Sequence, residues 1–286
     1  MRTLHILKVE LTKTIVNLGF LLSVFITFAL QFTNQVYVDN LTGKTYSVIE
    51  VIMQLDKSII KENTGLSAFR ILQSGVAGYF IMFLPIIAAF PFIPNFCAER
   101  NSGLIRFTIQ RTGKFRYYLT KFVSAALGGG LAVLFGYLLY GMIIAVIFPS
   151  IRTYDISSEE LSKLTRTFIA KRIGLVSIGI LIYGAVSAIP AFLMAAFVKN
   201  RYIITCVPFL AVYLYSTSLT KLIYDGMEKQ NQRLVDIGYT LKPEQVTTLH
   251  YGDAMARNSL LLNLILVIAS FLAFVIIMNR RRDFGE

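Results

Sequence analysis

Six long apolar runs, separated by polar segments, dominate the pattern along this chain of 286 residues. A helix that crosses the hydrocarbon core of a bilayer needs roughly 20 apolar residues, because each residue adds about 1.5 Å. All six runs are long enough, and none contains Lys, Arg, Asp or Glu. The pattern predicts an all-α membrane protein, a single six-span domain over residues 1–286, with spans at about Thr14–Phe32, Gly75–Cys97, Phe122–Phe148, Ile173–Val198, Tyr202–Thr220 and Ser259–Met278.

The segments outside the spans contain weaker helical patterns. Residues 1–13 carry a leucine stripe, which favours a separate amphipathic helix in the membrane interface over a simple extension of the first span. Val48–Leu55 has the pattern of a short helix in the first outer loop. Ser157 and Glu160 have capping-box spacing and predict an amphipathic helix on the outer leaflet. A long outer segment, 221–258, precedes the last span.

Proline and small residues predict how the spans bend and pack. The second span contains Pro85, Pro91 and Pro94, and each removes a helical hydrogen bond and bends or ends its helix. The third span carries small residues from Ser124 to Gly130, which let neighbouring backbones approach closely.

Composition excludes two broad classes of protein. Only 15% of the residues are charged, whereas a soluble domain of this length would carry roughly 25%. The net charge of +12 does not indicate a nucleic-acid partner, because the basic residues are scattered between apolar runs and form no stripe.

The distribution of basic residues gives the orientation. Half of the 28 Lys/Arg fall in the four short pieces 1–13, 98–121, 199–201 and 279–286. Because cytoplasmic loops are enriched in Lys and Arg, both termini are predicted to be cytoplasmic. The first run lacks a small-residue cleavage site and is interpreted as an uncleaved span. Cys97 and Cys206 are expected to be buried thiols on the reducing side.

Motifs for catalysis or ion coupling are scarce. The two histidines fall on opposite sides of the predicted membrane and the two thiols are far apart in sequence, so no metal site is expected. Gly113-Lys114 lacks the upstream glycine of a phosphate-binding loop. Ion-coupled transporters need an ionisable residue in a span, and none occurs here. The chain is therefore not predicted to be an enzyme, and any uphill transport needs energy from a partner.

The loop between the second and third spans is the most informative segment. Residues 97–121 carry six Lys/Arg against the single acid Glu99, and a short helix is predicted inside the loop. Leu104, Ile105 and Phe107 are expected to be exposed toward the cytosol, where they fit a groove on a soluble subunit. The same residues also suit a helix that dips into lipid, and periodicity favours neither interpretation.

The order of residues in this loop is similar to a known pattern. It consists of Glu99-Arg100-x-x-Gly103, an apolar run, and then the basic Arg116 and Lys121 that lead into the next span. This order resembles the loop after the second span of ABC-2 type permeases, the membrane subunits of bacterial ABC exporters. In that family the loop forms a coupling helix that fits a cleft in the ATP-binding subunit. Many members have a proline after this helix.

Thr112-Gly113 stands in the place of that proline, which looks more like the variant found in Gram-positive permeases. The resemblance implies two permease copies, or one copy with a related permease, bound to two ATP-binding subunits in a bacterial cell membrane. The chain needs no cofactor of its own, since the partner binds ATP and Mg²⁺. The resemblance implies that the residues coupled to the ATPase partner are Glu99, Arg100, Gly103, Leu104, Ile105 and Phe107.

Export is the direction that the resemblance implies. The expected substrate is hydrophobic or amphipathic: a peptide such as an antimicrobial peptide, another antibiotic, or a lipid. Two other functions remain open at the level of sequence. One is a membrane scaffold or sensor that binds a partner without moving anything, and the other is a channel or secondary transporter without a partner.

Overall fold

The computed structural model describes residues 2–39, 43–151, 166–198, 200–251 and 254–280. These residues form an α-helical bundle with one two-stranded antiparallel sheet, β1 (Gln35–Val38) and β2 (Thr45–Ser47). Two 3₁₀ helices cover Thr64–Leu66 and Pro243–Tyr251. The α-helices are α1 (Arg2–Ile15), α2 (Leu18–Gln31), α3 (Val48–Gln54), α4 (Lys57–Glu62), α5 (Ala68–Ser74), α6 (Tyr79–Ile87), α7 (Ile93–Asn101), α8 (Leu104–Thr112), α9 (Lys114–Ile147), α10 (Arg166–Phe197), α11 (Arg201–Glu228), α12 (Gln232–Leu241) and α13 (Ala254–Arg280).

Four of the described helices, α9, α10, α11 and α13, are long and apolar enough to cross a membrane. The number rises to six if each of two bent helix pairs is counted as one span. This confirms an all-α fold of the membrane type, with four to six spans. At 34 residues, α9 is about 51 Å long and extends well beyond a hydrocarbon core of about 30 Å.

The N-terminal segment and the first apolar run form two helices, α1 and α2, which meet at an angle of 59°. Asn17 stabilises the junction. Its Oδ1 accepts a hydrogen bond from the backbone N–H of Phe20 at 2.8 Å and caps α2. Its Nδ2 donates to the carbonyl of Pro91 at 2.7 Å. The predicted separate N-terminal helix is confirmed, but the second helix begins at Leu18 and not at the predicted Thr14.

The second apolar run, Gly75–Cys97, is divided into two helices, as its prolines predicted. It contains α6, a turn and α7, and α5 precedes α6 at an angle of 58°. Pro85 lies inside α6 and Pro94 occupies the first turn of α7. The prolines remove backbone donors at these positions, as expected.

Close backbone contacts hold α9 against its neighbours, as the small residues predicted. A Cβ added at Gly129 would lie 2.6 Å from the carbonyl oxygen of Ala88, and one added at Gly130 would lie 2.5 Å from that of Leu181. Nearer the other end of α10, Phe192 is buried and packs against a ring of aromatic side chains. These side chains are Phe92, Phe96, Phe122 and Phe274.

The segment between α2 and α5 contains the predicted short helix, confirmed as α3, and a β-hairpin that the sequence did not predict. Ser47 begins α3 with a capping box. Its backbone N–H and its hydroxyl both donate to Glu50 at 2.8 Å, and these hydrogen bonds lower the pKa of the Glu50 carboxyl. The helix predicted from Ser157 and Glu160 lies outside the described residues.

The segment after α11 folds back onto the bundle. The hydroxyl of Ser259 donates to the carbonyl of Lys242 at 3.0 Å, and the amide of Asn263 donates to that of Pro243 at 3.1 Å. On the other side, the backbone of Val246 lies so close to Gly179 that an added Cβ would be 2.5 Å from its oxygen. The second 3₁₀ helix is therefore wedged between α10 and α13.

Both cysteines are free thiols, but only Cys97 is buried. The expectation that Cys206 is buried is wrong, because it lies on an exposed face of α11.

The contact between α9 and α10 gives a testable prediction. We expect Gly130→Ala to lower the free energy of unfolding by about 1–3 kcal/mol, because the backbone of α10 must move to admit the methyl group. Gly174→Ala is the matched control, since an added Cβ there meets nothing within 4 Å. Circular dichroism during thermal unfolding in one detergent measures both. Equal unfolding midpoints would contradict the close contact.

Candidate functional site

Glu99, at the end of α7, belongs to a cluster of four charged residues, Glu10, Lys13, Glu99 and Lys121. We call this set the charge cluster. The Lys121 ammonium contacts the carboxylates of both Glu99 and Glu10, the latter at 2.5 Å. The Lys13 ammonium lies 3.2 Å from Glu99 and 3.5 Å from Glu10. The cluster joins three separate helices, α1, α7 and α9.

The burial of these side chains decides which ion pairs matter. The side chains of Glu10 and Lys121 are each 7% exposed and that of Glu99 is 16% exposed, whereas that of Lys13 is 49% exposed. Two carboxylates and two ammonium groups neutralise each other. Removing one partner of a buried pair costs about 3–5 kcal/mol, whereas exposed pairs contribute roughly 0–1 kcal/mol. Lys121 therefore contributes most of the cohesion.

The charge cluster lies where three apolar runs meet polar sequence. Lys13 immediately precedes the first predicted span, and Lys121 immediately precedes the third. Glu99 follows the second predicted span by two residues. Because their side chains are in contact, the ends of these three runs lie at one level. We expect the boundary of the membrane at the level of the charge cluster.

Arg100 connects α7 to a fourth helix. Its Nη1 donates to the carbonyl of Ala195 at 2.7 Å and to that of Val198 at 2.6 Å. These carbonyls belong to the last turn of α10 and to the residue that follows it, where backbone acceptors lack helical partners and a positive charge is favourable. Arg100, predicted to contact a partner, is thus bound to the body of the protein in this structure. Its part in partner binding stays a prediction.

Two glycines delimit α8. Gly103 precedes it with a φ of +72°, and Gly113 follows it with a φ of +85°. Both angles lie in the region that favours glycine. A Cβ added at either position meets nothing within 4 Å, so the backbone conformation and not the space requires glycine there. These turns separate α8 from α7 and from α9.

The two faces of α8 differ in exposure. Ile105 and Ile109, one helical turn apart, are buried against the rest of the protein. Leu104 is 53% exposed and Phe107 is 66% exposed. The expectation that Ile105 is exposed is wrong, because a helix with an inward Ile109 also turns residue 105 inward. Leu104 and Phe107 therefore form the exposed apolar pair of α8.

Sequence reasoning missed the partners of Glu99. Glu10 and Lys13 lie on α1 and Lys121 lies on α9, far from Glu99 along the chain. One signal was present in the sequence. Residues 1–13 and 98–121 each contain a single acid, Glu10 and Glu99, and these two acids converge on the same lysine.

The carboxylates of the charge cluster are engaged in ion pairs. The arrangement therefore suits a contact through apolar side chains more than chemistry at these carboxylates. Among the described residues, no group of three or more His, Cys, Asp and Glu side chains is placed to hold a metal ion. What the site offers a partner is the exposed apolar pair on α8, next to helices that are tied together by the charge cluster.

No protein-family model matches the chain, and no curated protein is significantly similar to it. The likeness to ABC-2 type permeases therefore rests on the residues of the Glu99–Lys121 segment and on the order of the apolar runs.

The charge cluster gives a second prediction. We expect Lys121→Met to lower the free energy of unfolding by about 3 kcal/mol or more, because the two largely buried carboxylates then keep only the half-exposed Lys13 ammonium as a counter-charge. Thermal unfolding in detergent, followed by circular dichroism, measures the loss.

Lys13→Met is the matched control, because its ammonium is half exposed and its loss should cost at most about 1 kcal/mol. Adding Glu10→Gln to Lys121→Met should recover part of the stability, since one of the two repelling charges is removed. If the two lysine variants are equally stable, the cluster does not hold the helices together.

Proposed function

We propose that the chain is the transmembrane permease subunit of an ATP-driven ABC exporter, in which a separate ATP-binding subunit contacts α8. The observation that carries the proposal is the build of α8. One face is anchored in the bundle by Ile105 and Ile109, and the other presents Leu104 and Phe107. The resemblance of the Glu99–Lys121 segment to a coupling helix points to the same element.

The connections of α8 explain how a push on it would reach the spans. Single glycine turns join it to α7 and to α9. The charge cluster joins α7 to α1 and α9, and Arg100 joins α7 to the end of α10. A displacement of α8 is thereby passed to four other helices. In the proposed mechanism, ATP binding closes the ATPase dimer and presses two such α8 helices toward each other.

The proposed assembly consists of two ATP-binding subunits and two permeases, either two copies of this chain or one copy with a related permease. It lies in a bacterial cell membrane with both termini and α8 on the cytoplasmic side, as the distribution of Lys and Arg favours. ATP and Mg²⁺ are bound by the partner. The substrate class is a hydrophobic or amphipathic molecule moved out of the cell.

Burial of Leu104 and Phe107 against the partner subunit can contribute to the free energy of binding. Full burial of a Leu or Phe side chain contributes about 1.5–3 kcal/mol relative to exposure. Leu104 and Phe107 are roughly half to two-thirds exposed, so their burial contributes at most a few kcal/mol for each subunit. An aspartate in their place would remove this energy and put a charge into the groove.

Replacing either exposed residue tests the coupling. We expect Leu104→Asp and Phe107→Asp to leave membrane insertion intact and to reduce the substrate-stimulated ATP hydrolysis of the assembled complex at least tenfold. Met53→Asp is the matched control, because Met53 is also an exposed apolar residue but lies on α3 in the outer loop. Stimulated hydrolysis at the wild-type rate in both α8 variants would show that α8 does not transmit the push.

A tryptophan at position 107 separates partner binding from lipid insertion. The chain contains no tryptophan, so Phe107→Trp introduces a single fluorophore. In nanodiscs containing only this chain, we expect quenching by acrylamide and little quenching by brominated lipids. The ATP-binding subunit should then shift the emission to shorter wavelength. Strong quenching by brominated lipids from the start would instead make α8 an interfacial helix.

A further inference from the structure

A cavity of about 270 Å³ lies between α6, α10 and α11, on the outer side of the bundle in the proposed orientation. Five of the residues that line it carry hydroxyl groups. These hydroxyls belong to Tyr183, Tyr213, Ser216, Thr217 and Thr220.

A carboxylate stands directly behind this wall. The hydroxyl of Ser216, which lines the cavity, donates to Oε1 of Glu244 at 3.3 Å. Glu244 belongs to the outer segment that folds back onto the bundle, and its side chain is 13% exposed. A largely buried carboxylate needs hydrogen bonds or a counter-charge. The predicted spans lack ionisable residues, but the folded-back segment brings one to them.

The counter-charge of Glu244 within the described residues is Lys242. Its ammonium lies 3.6 Å from Oε1, a long distance for an ion pair, and its side chain is 15% exposed. Both the serine and the lysine contact Oε1. A carboxylate can accept several hydrogen bonds, so Glu244 can accept a donor from a ligand in addition to these contacts.

Aromatic side chains extend from the cavity along the same helices. The rings of Phe83 on α6 and Phe209 on α11 are stacked with centroids 5.6 Å apart. Phe209 in turn stacks on Tyr213, which lines the cavity, at 6.3 Å. Such a row of rings offers a surface for the apolar part of a ligand whose polar end occupies the cavity.

We infer that this cavity is a subsite for the ammonium group of an amphipathic substrate, with Glu244 as the counter-charge and the row of Phe83, Phe209 and Tyr213 as the apolar support. The inference rests on the proposed function and specifies its substrate class as amphipathic amines. An ammonium group carries three donors, and the carboxylate and neighbouring hydroxyl oxygens can accept them.

The size of the cavity limits what enters it. Pockets that enclose a whole drug-sized ligand have volumes of about 300–1,000 Å³. This cavity, at about 270 Å³, is smaller and admits one chain end, such as an alkylamine or a lysine side chain. The remainder of the substrate lies outside it, along the aromatic row. A cationic amphipathic peptide meets both requirements.

Binding of dansylcadaverine tests the subsite. This probe combines an aromatic group with a primary ammonium, and its fluorescence reports binding to the full chain in phosphatidylcholine nanodiscs. We expect Glu244→Gln to weaken binding about tenfold or more, because it removes a charge-assisted hydrogen bond. Glu228→Gln, which changes an exposed carboxylate at the end of α11, should leave the affinity within twofold of wild type.

A neutral probe and a variant expected to bind more tightly distinguish the loss of the Glu244 charge from a general loss of folding. N-butyl dansylamide, which lacks the ammonium, should bind wild type and Glu244→Gln equally. Lys242→Met should tighten the binding of dansylcadaverine severalfold, because it removes the cation that competes for Glu244, and a misfolded protein would not gain affinity. Equal affinity of dansylcadaverine for wild type and Glu244→Gln, or weaker binding by Lys242→Met, would overturn the inference.

The assay needs no ATP-binding subunit, so its failure differs from a failure of the proposed function. If dansylcadaverine binds as predicted while the α8 variants retain full ATP hydrolysis, the amine subsite is supported and the coupling role of α8 is contradicted. If the α8 variants lose hydrolysis while Glu244→Gln binds normally, the chain is a permease whose substrate is not recognised through an ammonium group.

Discussion

The contact of Lys121 with Glu10 and Glu99 is the constraint on which the end of the bundle that carries α8 depends. It fixes the ends of α1, α7 and α9 at one level and leaves the buried carboxylates neutralised. Arg100 adds the last turn of α10 to the same assembly. Because these groups are mostly buried, the helices they join cannot move apart without exposing unpaired charge.

The breaks in the first helices explain why ion pairs between their ends are needed for stability. The first and second apolar runs do not cross as straight rods, since α1 meets α2 at a sharp bend and α6 is separated from α7 by a turn. Short helices gain little stability from their own hydrogen bonds and depend on tertiary packing. The Asn17 amide at the first break and the charge cluster supply that packing at the side where α8 begins.

Elements governed by local sequence could be predicted, and contacts between distant residues could not. Length and hydropathy predicted the long helices α9, α10, α11 and α13, and the residue pattern of Val48–Leu55 predicted α3. The four-residue period of the buried face of α8 was set by Ile105 and Ile109, and only the fold shows that this face is inward. Likewise, nothing local to residues 242–244 indicates that the outer segment returns to α10 and α13, because that return depends on Gly179, Ser259 and Asn263.

In the proposed function, a separate ATP-binding subunit contacts α8 at its exposed apolar pair. The most direct measurement is site-specific photocrosslinking from a benzoylphenylalanine at position 107 of the full chain in native membranes, with mass spectrometry of the product. We expect a crosslink to a soluble ATP-binding subunit that carries a phosphate-binding loop, and we expect its loss when Leu104→Asp is also present. Crosslinks to lipid alone, or labelling of position 107 from outside the cell, would contradict it.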